Sequence, residues 1–136
     1  MSVEDVFDAT LTYLRANTPM TWFEWFVPDD DAVHTDGVAY GVASVLGPFE
    51  TFRDWNICDV ADQPYGGTIL VGVTAPTAEA VKEQAKAVSD LLRGWSPGSG
   101  TSAFTSTPAR GYEPVDSKFE PTLVTRQMLF RFTTNL

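Results

Sequence analysis

Residues 67–94 read GTILVGVTAPTAEAVKEQAKAVSDLLRG, and a change of period inside this stretch decides the fold class. Over residues 68–74, Ile69, Val71 and Val73 fall on one face at the two-residue period of a strand. After Pro76 the period lengthens. Val81, Ala85, Val88, Leu91 or Leu92, and Trp95 form one stripe, while Lys82, Glu83, Lys86 and Asp90 fall largely elsewhere. Thr77 fits the N-cap, Glu79 the positive first turn, Arg93 the negative end and Gly94 the C-terminal cap. A strand running directly into an amphipathic helix predicts a helix that lies on a sheet.

Upstream, Pro64, Tyr65, Gly66 and Gly67 predict a turn. Alternation around residues 53–60 predicts a strand before it, and small and β-branched residues over 38–46 predict another, bounded by Gly37 and Gly47. Ser2 and Asp5 resemble a capping box, followed by Val3, Val6, Phe7, Thr10, Leu11 and Leu14 at helical spacing; this first helix is expected to run to Ala16, before Asn17, Thr18 and Pro19 stop it. Downstream, residues 96–121 are rich in Gly, Ser, Thr and Pro, too long for an ordinary connection, and predict a functional or mobile polar loop. Residues 122–134 alternate as a long final strand, with Val124, Met128, Phe130 and Phe132 on one side. The expected fold is therefore α+β: a single domain over residues 1–136, with two helices packed on one face of a mainly antiparallel sheet.

At 136 residues, with four Trp and nine Phe, the chain has material for one core. Eighteen acidic residues against nine basic ones, a net charge of −9, disfavour tight binding to nucleic acid or to anionic lipid. The opening Met1, Ser2, Val3, Glu4, Asp5 lacks signal-peptide character, and nowhere do about 18 apolar residues run uninterrupted. The one cysteine, Cys58, excludes an intramolecular disulfide; a reducing cytosol is the expected compartment.

The chemistry-bearing residues are sparse. Asp29, Asp30, Asp31, His34 and Asp36 offer oxygen ligands and an imidazole, but without calcium-loop spacing, and a solvated acidic turn accounts for them more simply. His34 is the only histidine. Cys58 lies in an apolar pattern that suits a buried, inert thiol better than a nucleophile. Gly66 and Gly67 lead into a strand, so they do not form a phosphate loop, and Gly98-Ser99-Gly100 has no following Lys-Ser or Lys-Thr. Acid pairs such as Asp59 with Asp62 or Glu113 with Asp116 are what chance gives an acidic chain. The expectation is no catalytic, metal or cofactor site.

The segment MTWFEWFV, residues 20–27, is denser in aromatics than any other. As one strand it would place Trp22 and Phe26 on the face opposite Phe23 and Trp25, so large apolar groups would point both ways and one set would need the first helix or another subunit to cover it. Trp22, Phe23, Trp25 and Phe26 are thus candidate subunit-interface residues.

Three stretches, VEDVFDATLTYLRA (3–16), residues 67–94 and RQMLFRFTT (126–134), together resemble the tail terminator proteins of long-tailed bacteriophages, particularly those of actinobacteria. The resemblance covers most of the chain but includes no chemical signature; the Gly/Ser/Thr-rich segment after the second helix departs from it. It implies a small α+β virion protein, assembled in the host cytoplasm, that forms a homo-oligomeric, hexameric ring on the head-proximal end of the tail tube. Such a ring stops tube growth and offers a surface for head joining. Its partners would be the tail tube protein and a head-neck connector, with DNA only passing through the channel, and no membrane or cofactor. The alternatives are another neck or tail component (a head completion or tube protein), a monomeric binding module using residues 22–26, and a small metal-dependent enzyme built on His34.

Overall fold

The computed structural model describes residues 2–28, 31–34, 36–50, 65–98, 100–106, 113–114 and 123–134. Along the chain lie α1 (Val3–Asn17), β1 (Thr21–Glu24), a 3-10 turn (Ala32–His34), β2 (Tyr40–Glu50), β3 (Tyr65–Ala75), α2 (Ala78–Leu92), β4 (Thr105–Ser106), β5 (Glu113–Pro114) and β6 (Val124–Thr134). One sheet runs β1-β2-β3-β6-β4, and β5 pairs with β6 as well. Every pairing is antiparallel except β1 with β2. The fold is α+β, as expected.

Register explains why both helices lie on one face. Ile69 sits between Val45 and Phe130, and Val71 between Ala43 and Met128, so three strands present their apolar residues together. α1 lies over β1, β2 and β3, and α2 over β3 and β6. Val6, Leu11 and Leu14 of α1 and Val81, Val88 and Leu92 of α2 are fully buried in this core, each contributing roughly 1.5–3 kcal/mol before the entropy of ordering is subtracted. A one-residue slip of β3 would turn Ile69, Val71 and Val73 away from the helices.

The helix ends follow from their capping residues. Ser2 Oγ accepts from the Asp5 amide at 3.1 Å and Asp5 Oδ2 accepts from the Ser2 amide at 3.0 Å, a complete capping box. The hydrogen bond from the Ser2 backbone amide foremost, and then the Ser2 side chain, hold the Asp5 carboxyl below its ordinary value of 3.8. Thr77 caps α2 through the Ala80 amide, and Gly94 takes the left-handed conformation (φ +77°) that ends it.

Several boundaries differ from the sequence expectations. β2 starts at Tyr40, and passes through Gly47 across a register irregularity between Leu46 and Phe49. Tyr65, Gly66 and Gly67 belong to β3 and do not form a turn: the Phe132 ring lies over Gly67, where a Cβ would clash with it. Leu92, not Leu91, is the buried member of the α2 stripe. α1 extends one residue past Ala16, to Asn17. The tract after α2, read as a polar loop over 96–121, contains β4 and β5, both paired with β6; only part of that tract lies within the described residues. The strand expected over 53–60 lies outside them.

Candidate functional site: an aromatic edge and a cleft on the sheet face

Residues 20–27 do not form one continuous strand. β1 ends after Glu24, and its first two aromatics obey the alternation. Trp22 enters the core, 4% exposed, with its ring over Gly41 and its indole N–H donating to Thr18 Oγ1 at 2.8 Å. Phe23 goes to the other face and meets Tyr40 edge-on, 6.1 Å between centroids, within a small cluster with Val33, Leu123, Val27 and Val42. Burial there raises the Tyr40 hydroxyl pKa above its ordinary value of 10.0, partly opposed by a hydrogen bond with Thr74.

At Trp25 the strand geometry breaks. Its φ is +69°, its amide donates to the Ala43 carbonyl at 2.9 Å, and the Phe26 amide donates back to the Glu24 carbonyl at 2.8 Å. A two-residue hydrogen bond around a positive φ is a γ-turn of the strained kind, and holding a tryptophan there costs on the order of 1–3 kcal/mol. The turn leaves Trp25 56% and Phe26 70% exposed. Trp25 meets Phe7 edge-on at 6.2 Å. The expected pairing of Trp22 with Phe26 on one face is thereby corrected: of the four candidate interface residues, Trp22 is core, Phe23 half-buried, and only Trp25 and Phe26 reach outward.

The face of the sheet away from the helices carries the rows Ser44–Leu70–Leu129 and Leu46–Thr68–Arg131. Leu70 and Leu129 are half-buried and Leu46 exposed. They floor an open cleft of about 800 Å³, walled on the β4 side by Ser102, Ala103 and Thr105. That wall is firmly held: Gly94 and Trp95 exchange backbone hydrogen bonds with Phe104 at 3.0 and 2.9 Å, and Ser102 bonds Thr133 in both directions. The cleft was not among the sequence expectations. Its signal is Leu70, an apolar residue standing where the solvated side of a half-buried strand would carry a polar one.

Two of the polar candidates, Asp31 and Asp36, make local turn bonds. Asp31 Oδ1 accepts from the Val33 amide at 3.0 Å and Asp36 Oδ1 from the Val38 amide at 2.9 Å, the local bonds aspartate makes at turns. His34 closes the 3-10 turn. Asp29, Asp30, Cys58, Asp59, Asp62 and Asp116 lie outside the described residues, and Glu113 is placed only by its backbone, in β5. Among the described residues no group of three or more His, Cys, Asp or Glu could hold a metal ion, and no helix is long and apolar enough to cross a membrane.

No family model and no curated protein matches the chain. The functional conclusion therefore rests on the sequence resemblance and on this surface.

Proposed function

We propose that the protein is a structural subunit of the phage tail terminator type: a self-assembling ring, hexameric by the resemblance, that caps the head-proximal end of a tail tube. It stops tube polymerisation and presents a head-joining surface. The observation that carries the proposal is the outward apolar surface that remains beside a well-buried core among the described residues: Trp25 and Phe26 at one edge, and the Leu46–Leu70–Leu129 floor on the open face. Two supports stand beside it. The stretches that carry the resemblance, 3–16, 67–94 and 126–134, build α1, β3 with α2, and β6, the frame of the domain. A net charge of −9 suits a channel through which DNA must pass without adhering. The partners are then further copies of the chain, the tube protein and a neck connector, and the place of action is the virion.

Light scattering on the purified protein, repeated with the matching tube protein, tests this. A closed ring or a stable cap on tubes supports it, and long tubes formed by the protein alone would make it a tube subunit. A monomer in both conditions would transfer Trp25 and Phe26 to the alternative of a monomeric binding module.

A further inference from the structure

The strand order separates the two outward apolar surfaces. β1 is one edge of the sheet and β4 the other, so the Trp25–Phe26 protrusion and the β4 wall of the cleft lie at opposite ends of the β1-β2-β3-β6-β4 order. We infer that Trp25 and Phe26 of one copy insert into the open-face cleft of a second copy, with Glu24 of the first meeting Arg131 of the second. This rests on the ring-forming role proposed above and names the joint that would build it.

Three observations select a second copy as the occupant. The first is charge. Glu24 is exposed and immediately precedes the aromatic pair, while Arg131 is exposed and lines the cleft. Among the described residues no carboxylate pairs with Arg131. At a net charge of −9 two copies repel at long range, so an approach that places this acid on this base is favoured over other orientations.

The second is size. Fully covered Trp and Phe side chains bury roughly 150–250 Å² each, so at 56% and 70% exposure Trp25 and Phe26 together can supply about a third of the roughly 800 Å² per partner that a stable interface needs. A cleft of about 800 Å³ with a leucine floor has room for both rings, and its rim supplies surface for the remainder.

The third is preorganisation. The γ-turn fixes the direction of Trp25 before any partner arrives, so little backbone freedom is lost on docking. Protrusion and cleft are different surfaces, one at the β1 edge and one on the open face of the sheet, which makes the contact head-to-tail; repeated, it closes into a ring when the rotation per subunit allows.

The test compares solution masses and self-association constants of the full chain and four variants. Trp25→Gly with Phe26→Ala removes the protrusion while giving position 25 the residue that tolerates its φ; Leu129→Arg fills the cleft. The protrusion variant is expected to associate at least about 30-fold more weakly. Neither variant should form oligomers alone, yet an equimolar mixture should give dimers, because each retains the half of the joint that the other lacks. Glu24→Arg should weaken association about tenfold, and adding Arg131→Glu to it should restore the constant to within about threefold of the parent. Thermal melts of every variant confirm that the fold is retained.

If the parent forms rings and the charge reversal and its pairing leave association unchanged, the joint lies elsewhere and the inference is overturned while the ring proposal stands. The inference falls in the same way if the mixed variants stay monomeric beside an assembling parent. A parent that remains monomeric even with tube protein overturns both.

Discussion

At the β4 edge, Trp95, Phe104 and Phe132 close on one another, 5.5 Å between successive centroids, and Trp95 stacks flat on Tyr13 of α1 at 4.3 Å. At the β1 edge, Trp25 has among the described residues Phe7 as its one aromatic neighbour, and Phe26 is 70% exposed. Both regions are aromatic connections at the side of the same sheet. At the β4 edge the connection between α2 and β4 is knitted back onto α1 and β6, whereas the β1 edge turns away from the sheet at a single strained residue. Aromatic density therefore says little about interfaces; what matters is whether the backbone brings partners to the rings.

The largest blow to this contrast would be Phe104→Ala. Phe104 is fully buried and bonded through both its backbone groups to residues 94 and 95, so the truncation is expected to cost about 3–5 kcal/mol, measured by urea unfolding. A loss under about 1 kcal/mol would mean that the rings do not hold the β4 wall. Gly41→Ala tests the buried half of the other edge. An added Cβ would run into the Trp22 ring, and an expected loss of about 1–3 kcal/mol should appear as a lower midpoint at unchanged slope.

Trp25→Gly should move stability least. Relief of roughly 1–3 kcal/mol of backbone strain offsets the roughly 0.5–1.5 kcal/mol of the edge contact with Phe7 and the added freedom of glycine in the unfolded chain, leaving the melt within about 1 kcal/mol of the parent. A drop as large as that for Phe104→Ala would show that Trp25 is a structural residue, and the two edges would no longer differ in kind.

Periodicity in the sequence revealed much of the frame. The switch of period at Pro76, the Thr77 cap, the Ser2–Asp5 capping box and the alternation of Met128, Phe130 and Phe132 are local signals, and each names an element that the fold contains. What stayed hidden depends on distant residues. Nothing near Gly67 says that Phe132, 65 positions later, will lie over it and draw the Tyr65–Gly67 turn into β3. Phe104 is the one large apolar residue over positions 96–108, among Gly, Ser, Thr and Pro, so composition hides a core position. Of the candidate site, aromatic density at 22–26 marked the right segment, but alternation could not foresee that hydrogen bonds to Ala43 and from Phe26 would stop the strand at Trp25. The cleft was legible only as Leu70 and Leu129 out of place, because its floor is made by register between strands far apart in the chain.

The position of β6 bears on how the chain acquires its shape. It pairs with β3 on one side and with β4 and β5 on the other, yet all three precede it in the chain. During synthesis, β3 can pair with β2 but exposes its other side until β6 has emerged, about 50 residues after the end of β3. Until then Ile69, Val71 and Val73 lie beside an unpaired edge, the kind of surface on which nascent chains aggregate, and β6, made after its partners, acts as the keystone on which both halves of the sheet wait.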